Sequence, residues 1–226
     1  MNSMNQSKQL VGKEAVKYIQ DGMKVGLGSG STVYYMVKAL GERVKAEGLD
    51  IEAISTSNVT DEWAQEFGIP LTNFSRVQEL DIAIDGADEV DDNLRLIKGG
   101  GGALFREKVV AAAAKEFIVI VDESKIVPTL GKFPLPVEIV PFGWEVTAAK
   151  IEGLGGAPTL RERDGEIFVT DNGNYILDCA FDEIPDPIAT HQQLITLVGV
   201  VETGLFVDMT TKVLVADNGS TKLLTK

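Results

Sequence analysis

Short apolar segments alternate with amphipathic helical segments through the first half of this 226-residue chain. The strand-like runs are residues 24–27, 51–55, 80–84 and 117–121. Residues 8–20 and 32–46, by contrast, repeat apolar side chains at the three- and four-residue spacing of a helix with one buried face. Strands that alternate with helices pair in parallel, because each helix carries the chain back to the same edge of the sheet. The pattern therefore predicts an α/β fold with a Rossmann-like, doubly wound, mostly parallel sheet.

The pattern changes after about residue 130, where Phe133-Pro134-Leu135-Pro136 interrupts the alternation. From there to residue 207 the segments follow the order β-α-β-β-α-β, with a turn at Asp164-Gly165 and a last strand over residues 200–207. This order is typical of a small α+β domain of ferredoxin-like, split βαβ type. The predicted domains are residues 1–130 with 208–226, and residues 131–207.

Charge and composition exclude several classes of protein. The net charge of −13 opposes binding to nucleic acid and to anionic membranes. The polar N-terminus has no signal-like apolar core, and no window approaches the length of a membrane span. A single cysteine, Cys179, allows no internal disulfide, so we expect a cytoplasmic protein. A single histidine, His191, makes a zinc site or a hydrolase triad improbable, and we expect neither metal nor cofactor.

A glycine-rich loop, Gly26-Leu27-Gly28-Ser29-Gly30-Ser31-Thr32, follows the first strand and opens a helix. Backbone amides and a helix N-terminus favour an anion there, and three hydroxyls suit the free oxygens of a phosphate monoester. The spacing is G-x-G-x-G instead of the dinucleotide pattern G-x-G-x-x-G. Asp50 stands where a ribose-binding carboxylate would, so a dinucleotide remains an alternative, as does a plain glycine turn with a capping serine.

Three further features carry chemistry at predicted strand ends. Asp85-Gly86-Ala87-Asp88-Glu89 follows a buried strand, where open α/β sheets bind ligands, and its carboxylates suit a polyol. Lys98 precedes the run Gly99-Gly100-Gly101-Gly102, whose amides suit an oxyanion, and Glu107 lies in the helix that follows. Lys125 follows another strand. Each feature alone is equally typical of a solvated turn, a flexible loop or a helix-start acid. Together they predict one crevice suited to metal-free proton transfer.

Taken in order, these motifs resemble the type A ribose-5-phosphate isomerase family over essentially the whole chain. Further matching segments are Arg106-Glu107-Lys108, Gly131-Lys132-Phe133-Pro134-Leu135-Pro136-Val137-Glu138 and Val169-Thr170-Asp171-Asn172-Gly173-Asn174. Two positions depart from the family pattern, because Phe105 stands where threonine is usual and Gly102 where alanine is usual.

The resemblance implies interconversion of D-ribose 5-phosphate and D-ribulose 5-phosphate in the pentose phosphate pathway, through a cis-enediolate and without a cofactor. Glu107 is then the catalytic base, Asp85 and Asp88 hold hydroxyls and assist ring opening, and Lys98 stabilises the enediolate oxygen. The implied substrate-binding residues are Ser29, Gly30, Ser31, Thr32, Asp85, Gly86, Ala87, Asp88, Lys98, Gly99, Gly100, Gly101 and Lys125, with Lys8 a weaker candidate. The resemblance also implies a homodimer or homotetramer, with the small domain at the subunit contact.

Three other functions stay open from the sequence. A sugar-phosphate sensor of a transcription regulator would use the same fold for binding, although a basic DNA-reading module is not evident here. A coenzyme A transferase would use glutamate as a nucleophile. A related aldose–ketose isomerase would act on another sugar phosphate, such as allose 6-phosphate.

Overall fold

The computed structural model describes residues 3–217 and 219–226. Its helices are α1 Ser3–Ala15, α2 Ser31–Glu47, α3 Asn58–Glu66, α4 Leu104–Ala113, α5 Trp144–Glu152 and α6 Pro187–Ile195, and short 3-10 segments lie at Val16–Tyr18 and Glu123–Lys125. Its strands are β1 Lys24–Leu27, β2 Glu52–Ser55, β3 Leu80–Asp85, β4 Glu89–Val90, β5 Leu96–Ile97, β6 Ala114–Asp122, β7 Leu135–Ile139, β8 Ala157–Leu160, β9 Glu162–Arg163, β10 Glu166–Ile167, β11 Tyr175–Ala180, β12 Val200–Thr203, β13 Leu205–Phe206, β14 Lys212–Asp217 and β15 Ser220–Thr225.

The chain divides into two units. The first comprises the residues up to Ala87 together with Arg106–Lys125 and Met209–Lys226, and the second comprises Asp88–Phe105 and Ile126–Asp208. The first domain predicted from the sequence, residues 1–130 with 208–226, differs from this unit at residues 88–105, 126–130 and 208. Residues 88–105 group with the second unit because β5 pairs with both β4 and β13, which forms a small sheet of its own there.

The first unit is built on a six-stranded sheet in the order β15-β14-β6-β3-β1-β2. Five of these strands run parallel, and β15 pairs with β14 antiparallel at one edge. In β6 the five consecutive residues Phe117–Val121 are all buried, as expected of a parallel strand that is covered on both faces. The predicted doubly wound, mostly parallel sheet is confirmed.

Strand order decides where a ligand site can form in the first unit. The chain passes from β1 to β2 on one side of β1 and then returns to β3 on the other side. The loops that follow β1 and β3 therefore separate at the carboxyl edge of the sheet, which is the position where open α/β sheets bind ligands. Gly28 begins the first of these loops, and Asp85 ends β3.

Helix α4 packs over β1. A Cβ on Gly26 of β1 would lie 2.5 Å from Val110 Cγ1, so the helix rests directly on the backbone of this strand. Because α4 precedes β6, which is parallel to β3, the helix runs antiparallel to the strands. Its first turn, which contains Glu107, consequently lies toward the carboxyl edge of the sheet.

The second unit contains a four-stranded antiparallel sheet in the order β12-β7-β11-β8. Helix α5 lies between β7 and β8 in the chain, and α6 lies between β11 and β12. Ile151 of α5 and Leu194 of α6 are fully buried in one core with Val137 and Leu177 of the sheet. The predicted ferredoxin-like, split βαβ arrangement is confirmed.

The single strand predicted over residues 200–207 is wrong at Gly204. The structure has two strands there, β12 and β13, which belong to different sheets. Gly204 donates its N–H to Pro136 O at 2.7 Å and accepts from Lys98 N at 2.8 Å. A Cβ on Gly204 would overlap the Lys98 carbonyl, so only glycine lets the chain change sheets this close to Lys98.

The turn predicted at Asp164-Gly165 connects β9 and β10. Both residues have positive φ, 56° and 83°, as a two-residue turn between antiparallel strands requires. Among the helices in the described part of the chain, none is long and apolar enough to cross a membrane.

Candidate active site

The loop after β1 approaches the end of β3 too closely for a side chain. Gly28 donates its N–H to Ile84 O at 2.9 Å, and a Cβ on Gly28 would overlap the Asp85 carboxyl group. Gly30, with φ of 100°, is the N-cap of α2. The glycines therefore place the first turn of α2, with the positive end of the helix dipole, beside the end of β3.

The hydroxyl of Ser29 faces a group of other hydroxyls. Ser29 Oγ lies 2.7 Å from Thr56 Oγ1, 2.8 Å from Ser57 Oγ and 3.3 Å from Thr60 Oγ1, while Ser29 N donates to Asp85 Oδ1 at 3.0 Å. Thr56, Ser57 and Thr60 were not among the predicted site residues. A signal for them exists in the sequence, because a run of hydroxyl residues follows β2, the strand that pairs with β1.

The next two residues of the loop begin α2. Ser31 is exposed, and its hydroxyl accepts from Lys8 Nζ of α1 at 2.8 Å. Thr32 is half-buried in the same helical turn. Lys8 thus places a cation at the glycine loop, next to a helix N-terminus that also favours an anion.

Asp85 is 2% exposed at the end of β3. Its Oδ1 accepts from Ser29 N at 3.0 Å and from Gly86 N at 2.7 Å, so two backbone amides hold the carboxylate in one orientation. Gly86 and Ala87, which follow, are half-buried. The segment thus joins the loop after β1 to the end of β3.

Two more predicted site residues lie toward the carboxyl edge of the same sheet. Glu107 is 4% exposed in the first turn of α4, where the helix dipole favours a carboxylate. Lys125 is half-buried in the 3-10 segment directly after β6. The structure therefore brings the glycine loop, Asp85, Glu107 and Lys125 to the carboxyl ends of neighbouring parallel strands in the first unit.

The remaining predicted residues belong to the second unit. Asp88 donates its N–H to Ile97 O at 2.8 Å, at the start of the small sheet. Lys98 is 2% exposed, and its Nζ lies 5.5 Å from the centre of the Phe206 ring. Asp88 directly precedes β4 and Lys98 directly follows β5, so both residues lie at strand ends of the small sheet formed by β4, β5 and β13.

The glycine run after Lys98 forms a defined turn. Gly102 donates its N–H to Gly99 O at 3.0 Å, and these two glycines have φ of 91° and 106°. Gly100 donates its N–H to Asp88 Oδ2 at 2.8 Å. Gly101 is exposed at the tip of the turn. The run therefore presents backbone amides on a turn that is anchored to Asp88.

The structure accounts for one of the two departures from the family pattern. A Cβ on Gly102 would overlap the ring of Phe168, and the positive φ of Gly102 disfavours any side chain there. Phe105 is half-buried in the first turn of α4, and nothing in the structure explains its presence in place of threonine.

Cys179 lies on β11 and His191 on α6, both in the second unit. Burial raises the pKa of the Cys179 thiol to about 12, so the thiolate, which is the reactive form, does not form near neutral pH. His191 Nδ1 lies 2.8 Å from Thr203 Oγ1. In the described residues, no group of three or more histidine, cysteine or acidic side chains is arranged to hold a metal ion.

A doubly wound sheet with a glycine loop after its first strand and acidic residues after β3 defines a class of α/β enzymes that bind small, often phosphorylated molecules. Comparison with known proteins identifies the member of that class. The model of the ribose 5-phosphate isomerase A (phosphoriboisomerase A) family matches residues 52–220, and the chain belongs to this family. The resemblance predicted from the sequence motifs is confirmed.

Individual relatives cover nearly the whole chain. Ribose-5-phosphate isomerase A 1 of Oceanobacillus iheyensis is 59% identical over 96% of this chain and 97% of its own length. Ribose 5-phosphate isomerase A of Methanocaldococcus jannaschii superposes with a TM-score of 0.93 at 43% identity, covering 97% of this chain and 98% of that one. A D-ribose-5-phosphate isomerase solved in complex with phospho-erythronic acid superposes with a TM-score of 0.96 at 40% identity, covering all of both chains.

Proposed function

We propose that this chain interconverts D-ribose 5-phosphate and D-ribulose 5-phosphate by moving a proton between C2 and C1 through a cis-enediolate. Membership of the isomerase family supports this reaction. Support also comes from the relative that binds phospho-erythronic acid, because the carboxylate of an aldonic acid is planar and anionic, as an enediolate is.

Glu107 is the base in this proposal. It removes the C2 proton of the open-chain aldose and returns it to C1, while the proton of the C2 hydroxyl passes to the C1 oxygen. The observation that carries the assignment is the burial of Glu107, at 4% exposure, in the helical turn that lies toward the carboxyl edge of the sheet. A buried carboxylate can take up a carbon-bound proton without competition from bulk water.

The glycine loop binds the phosphate in this proposal. The N-terminal amides of α2 and the hydroxyls of Ser31 and Thr32 make the direct contacts, and Lys8 and Lys125 neutralise the charge. The position of Lys8, 2.8 Å from Ser31 Oγ, supports this assignment. Because the Ser29 hydroxyl bonds with Thr56 and Ser57, we assign Ser29 to holding the loop in shape.

The acidic segments and the glycine run bind the sugar in this proposal. The sugar hydroxyls are held by Asp85 and Asp88, which also assist ring opening. Gly86 and Ala87, which follow Asp85, belong to the same binding segment. Lys98 and the Gly101 amide stabilise the negative oxygen of the enediolate, while Gly99 and Gly100 shape the turn that presents this amide. The hydrogen bond from Gly100 N to Asp88 Oδ2 supports a shared role for Asp88 and the run.

The Glu107→Gln variant tests the assignment. Glutamine keeps the shape of the side chain but cannot accept the proton, so we expect kcat to fall by about 10³-fold or more while sugar phosphate still binds. The measurement is an NMR assay, in deuterated water, of deuterium entering C1 of ribulose 5-phosphate. Turnover and exchange close to those of the unchanged enzyme would refute Glu107 as the base.

Glu145→Gln is the matched control, because Glu145 also lies in the first turn of a helix but is exposed. This variant should exchange deuterium at the normal rate. If the unchanged protein binds sugar phosphate but catalyses no deuterium exchange, the protein is a sugar-phosphate sensor and the isomerase proposal is refuted. A thioester trapped on Glu107 with coenzyme A substrates would instead favour a transferase.

We also propose that the protein is a homo-oligomer that uses an apolar surface of the second unit. Val140, Phe142, Val146 and Val198 are 43%, 95%, 62% and 80% exposed. They lie close together, because Val140 N donates to Gly199 O at 2.8 Å and Thr147 Oγ1 donates to Val198 O at 3.2 Å. A fully exposed phenylalanine within such a patch supports contact with a second copy of the chain.

The cytoplasm is the proposed location of this reaction. Sugar phosphates are charged and do not cross membranes unaided, so an enzyme that converts them works where they are made. The single, buried Cys179 also suits a reducing compartment, because the described fold is held together without any disulfide.

A further inference from the structure

Arg161 is a buried cation that the proposed function leaves without a role. It lies between β8 and β9 in the second unit, and its side chain is 10% exposed. Its Nε donates to Asp178 Oδ2 at 2.8 Å, and its Nη2 donates to Asp178 Oδ1. This two-point contact with a carboxylate on β11 fixes the plane of the guanidinium group.

The same guanidinium reaches the glycine run. Arg161 Nη1 donates to Gly99 O at 2.7 Å and lies 3.3 Å from Gly100 O. Arg161 is 62 residues from Gly99 in the sequence, so this contact exists only in the folded chain. One cation, oriented by one carboxylate, therefore holds two successive carbonyls of the run.

Fixing these carbonyls also fixes the amides of the run. In a trans peptide the carbonyl and the N–H point in opposite directions. In the peptide between Gly99 and Gly100, the Gly99 oxygen accepts from Arg161. The Gly100 N–H of the same peptide donates to Asp88 Oδ2 at 2.8 Å. In the peptide between Gly100 and Gly101, the Gly100 oxygen accepts from Arg161, so the Gly101 N–H points away from Arg161. Gly101 is exposed, and the space where its Cβ would lie is open.

We propose that Arg161, oriented by Asp178, is a positioning residue that sets the peptide planes of Gly99–Gly101 for catalysis. Through the Gly100 amide it orients the Asp88 carboxylate, and through the next peptide it presents the Gly101 amide to the substrate oxygen. A guanidinium on a peptide oxygen also polarises the N–H at the other end of that peptide, which makes it a stronger donor. The inference rests on the proposed isomerase reaction.

Glycine alone does not hold such a turn. Each glycine has wide backbone freedom, so without an external partner the peptide planes of the run would rotate. A displacement of about 1 Å in a group that contacts reacting atoms can lower a rate by about 10²-fold. In this proposal Arg161 restricts the rotation of the peptide planes that the glycines would otherwise allow.

The Arg161→Lys variant tests the proposal. Lysine keeps the charge but cannot bind Asp178 at two points and the two carbonyls at once. We expect kcat to fall by about 10- to 100-fold, while inhibition by inorganic phosphate stays within about twofold, because the residues assigned to phosphate lie elsewhere. Arg163→Lys is the matched control, since Arg163 is exposed on the neighbouring strand with its guanidinium 4.5 Å from the Phe168 ring centre, and it should keep normal kcat.

A double-variant cycle separates positioning from general stability. If Arg161 acts through Asp88, the loss in Arg161→Lys combined with Asp88→Asn will be smaller than the product of the two single losses. A purely structural role predicts multiplicative losses and equal falls in phosphate binding, and that result would overturn the proposal. If Arg161→Lys does not fold, Asp178→Asn decides instead, with an expected fall in kcat of about 5- to 30-fold and unchanged phosphate inhibition.

The two proposals fail in different ways. An unchanged enzyme that does not isomerise ribose 5-phosphate refutes the proposed function, and the positioning role with it. An active enzyme whose Arg161→Lys and Asp178→Asn variants both keep normal kcat refutes the positioning role alone.

Discussion

Gly102 illustrates how one residue depends on a partner that is distant in the sequence. Its φ of 91° lies in the region that favours glycine, and the Phe168 ring fills the space where a Cβ would lie. Phe168 in turn lies near two cations, with its ring centre 6.0 Å from Arg161 and 4.5 Å from Arg163. The fourth glycine of the run is therefore matched to the aromatic residue that packs on it.

Gly102→Ala should destabilise the protein by about 1–3 kcal/mol, because the substitution adds both backbone strain and a clash with Phe168. Adding Phe168→Ala should recover the part due to the clash and leave the part due to φ. Urea denaturation of the single and double variants measures the two parts. Gly101→Ala is the control, since Gly101 has no positive φ and open space around it, and it should change stability little. Equal losses at both glycines would contradict this explanation.

At the scale of elements, Asp81 connects three strands of the first-unit sheet. It lies on β3, its Oδ2 accepts from Lys24 N of β1 at 2.8 Å, and its Oδ1 accepts from Lys115 Nζ of β6 at 3.1 Å. The Lys24 amide, and then Lys115, lower the pKa of the Asp81 carboxyl below its ordinary value. The folded state therefore prefers the ionised form of Asp81 more strongly than the unfolded state does.

The Asp81→Asn variant should change how the free energy of unfolding depends on pH. A lowered pKa in the folded state means that ionised Asp81 stabilises the protein above the ordinary aspartate pKa of about 4, and that this contribution is lost as the pH falls further. The difference in urea midpoint between the unchanged protein and Asp81→Asn should thus be constant from about pH 5 to 7 and shrink below about pH 4. A difference that grows in acid would contradict the prediction.

Most elements of this fold could be predicted from the sequence, because their apolar residues repeat at the period of a helix or a strand. Helix α2 is an example, since the predicted residues 32–46 lie within Ser31–Glu47, and the hairpin at Asp164-Gly165 is specified by its own two residues. The break at Gly204 could not be predicted, because residues 200–207 are apolar enough for one strand. The break depends on the Lys98 carbonyl, which contacts Gly204 only in the folded chain.

At the scale of the whole molecule, the exposed patch around Phe142 is the surface that separates a monomer from an oligomer. In a symmetric dimer both chains contribute the same patch to the contact, so a substitution there changes both sides of the interface. Burying one phenylalanine side chain contributes about 2–3 kcal/mol, and charged or polar residues at these positions would remove that contribution.

The double variant Phe142→Ser with Val146→Ser should lower the molar mass measured by light scattering toward that of one 24.3 kDa chain. Leu223→Ser is the control, because Leu223 is also exposed, at 45%, but lies on β15 of the first unit. This control should keep the mass of the unchanged protein. A monomeric unchanged protein, or a double variant with unaltered mass, would refute the proposed contact.

The class of fold, the family and the residues proposed for the chemistry can all be inferred from the pattern of residue types along the chain. Apolar periodicity sets which segments bury a face, and several short motifs in a fixed order are specific enough to identify a family. Three features are visible only in the folded chain: the Ser29 hydroxyl faces Thr56, Gly204 divides a strand, and Arg161 holds the glycine run. These features depend on contacts between residues far apart in the chain, and a local pattern of residue types carries no information about which distant groups meet.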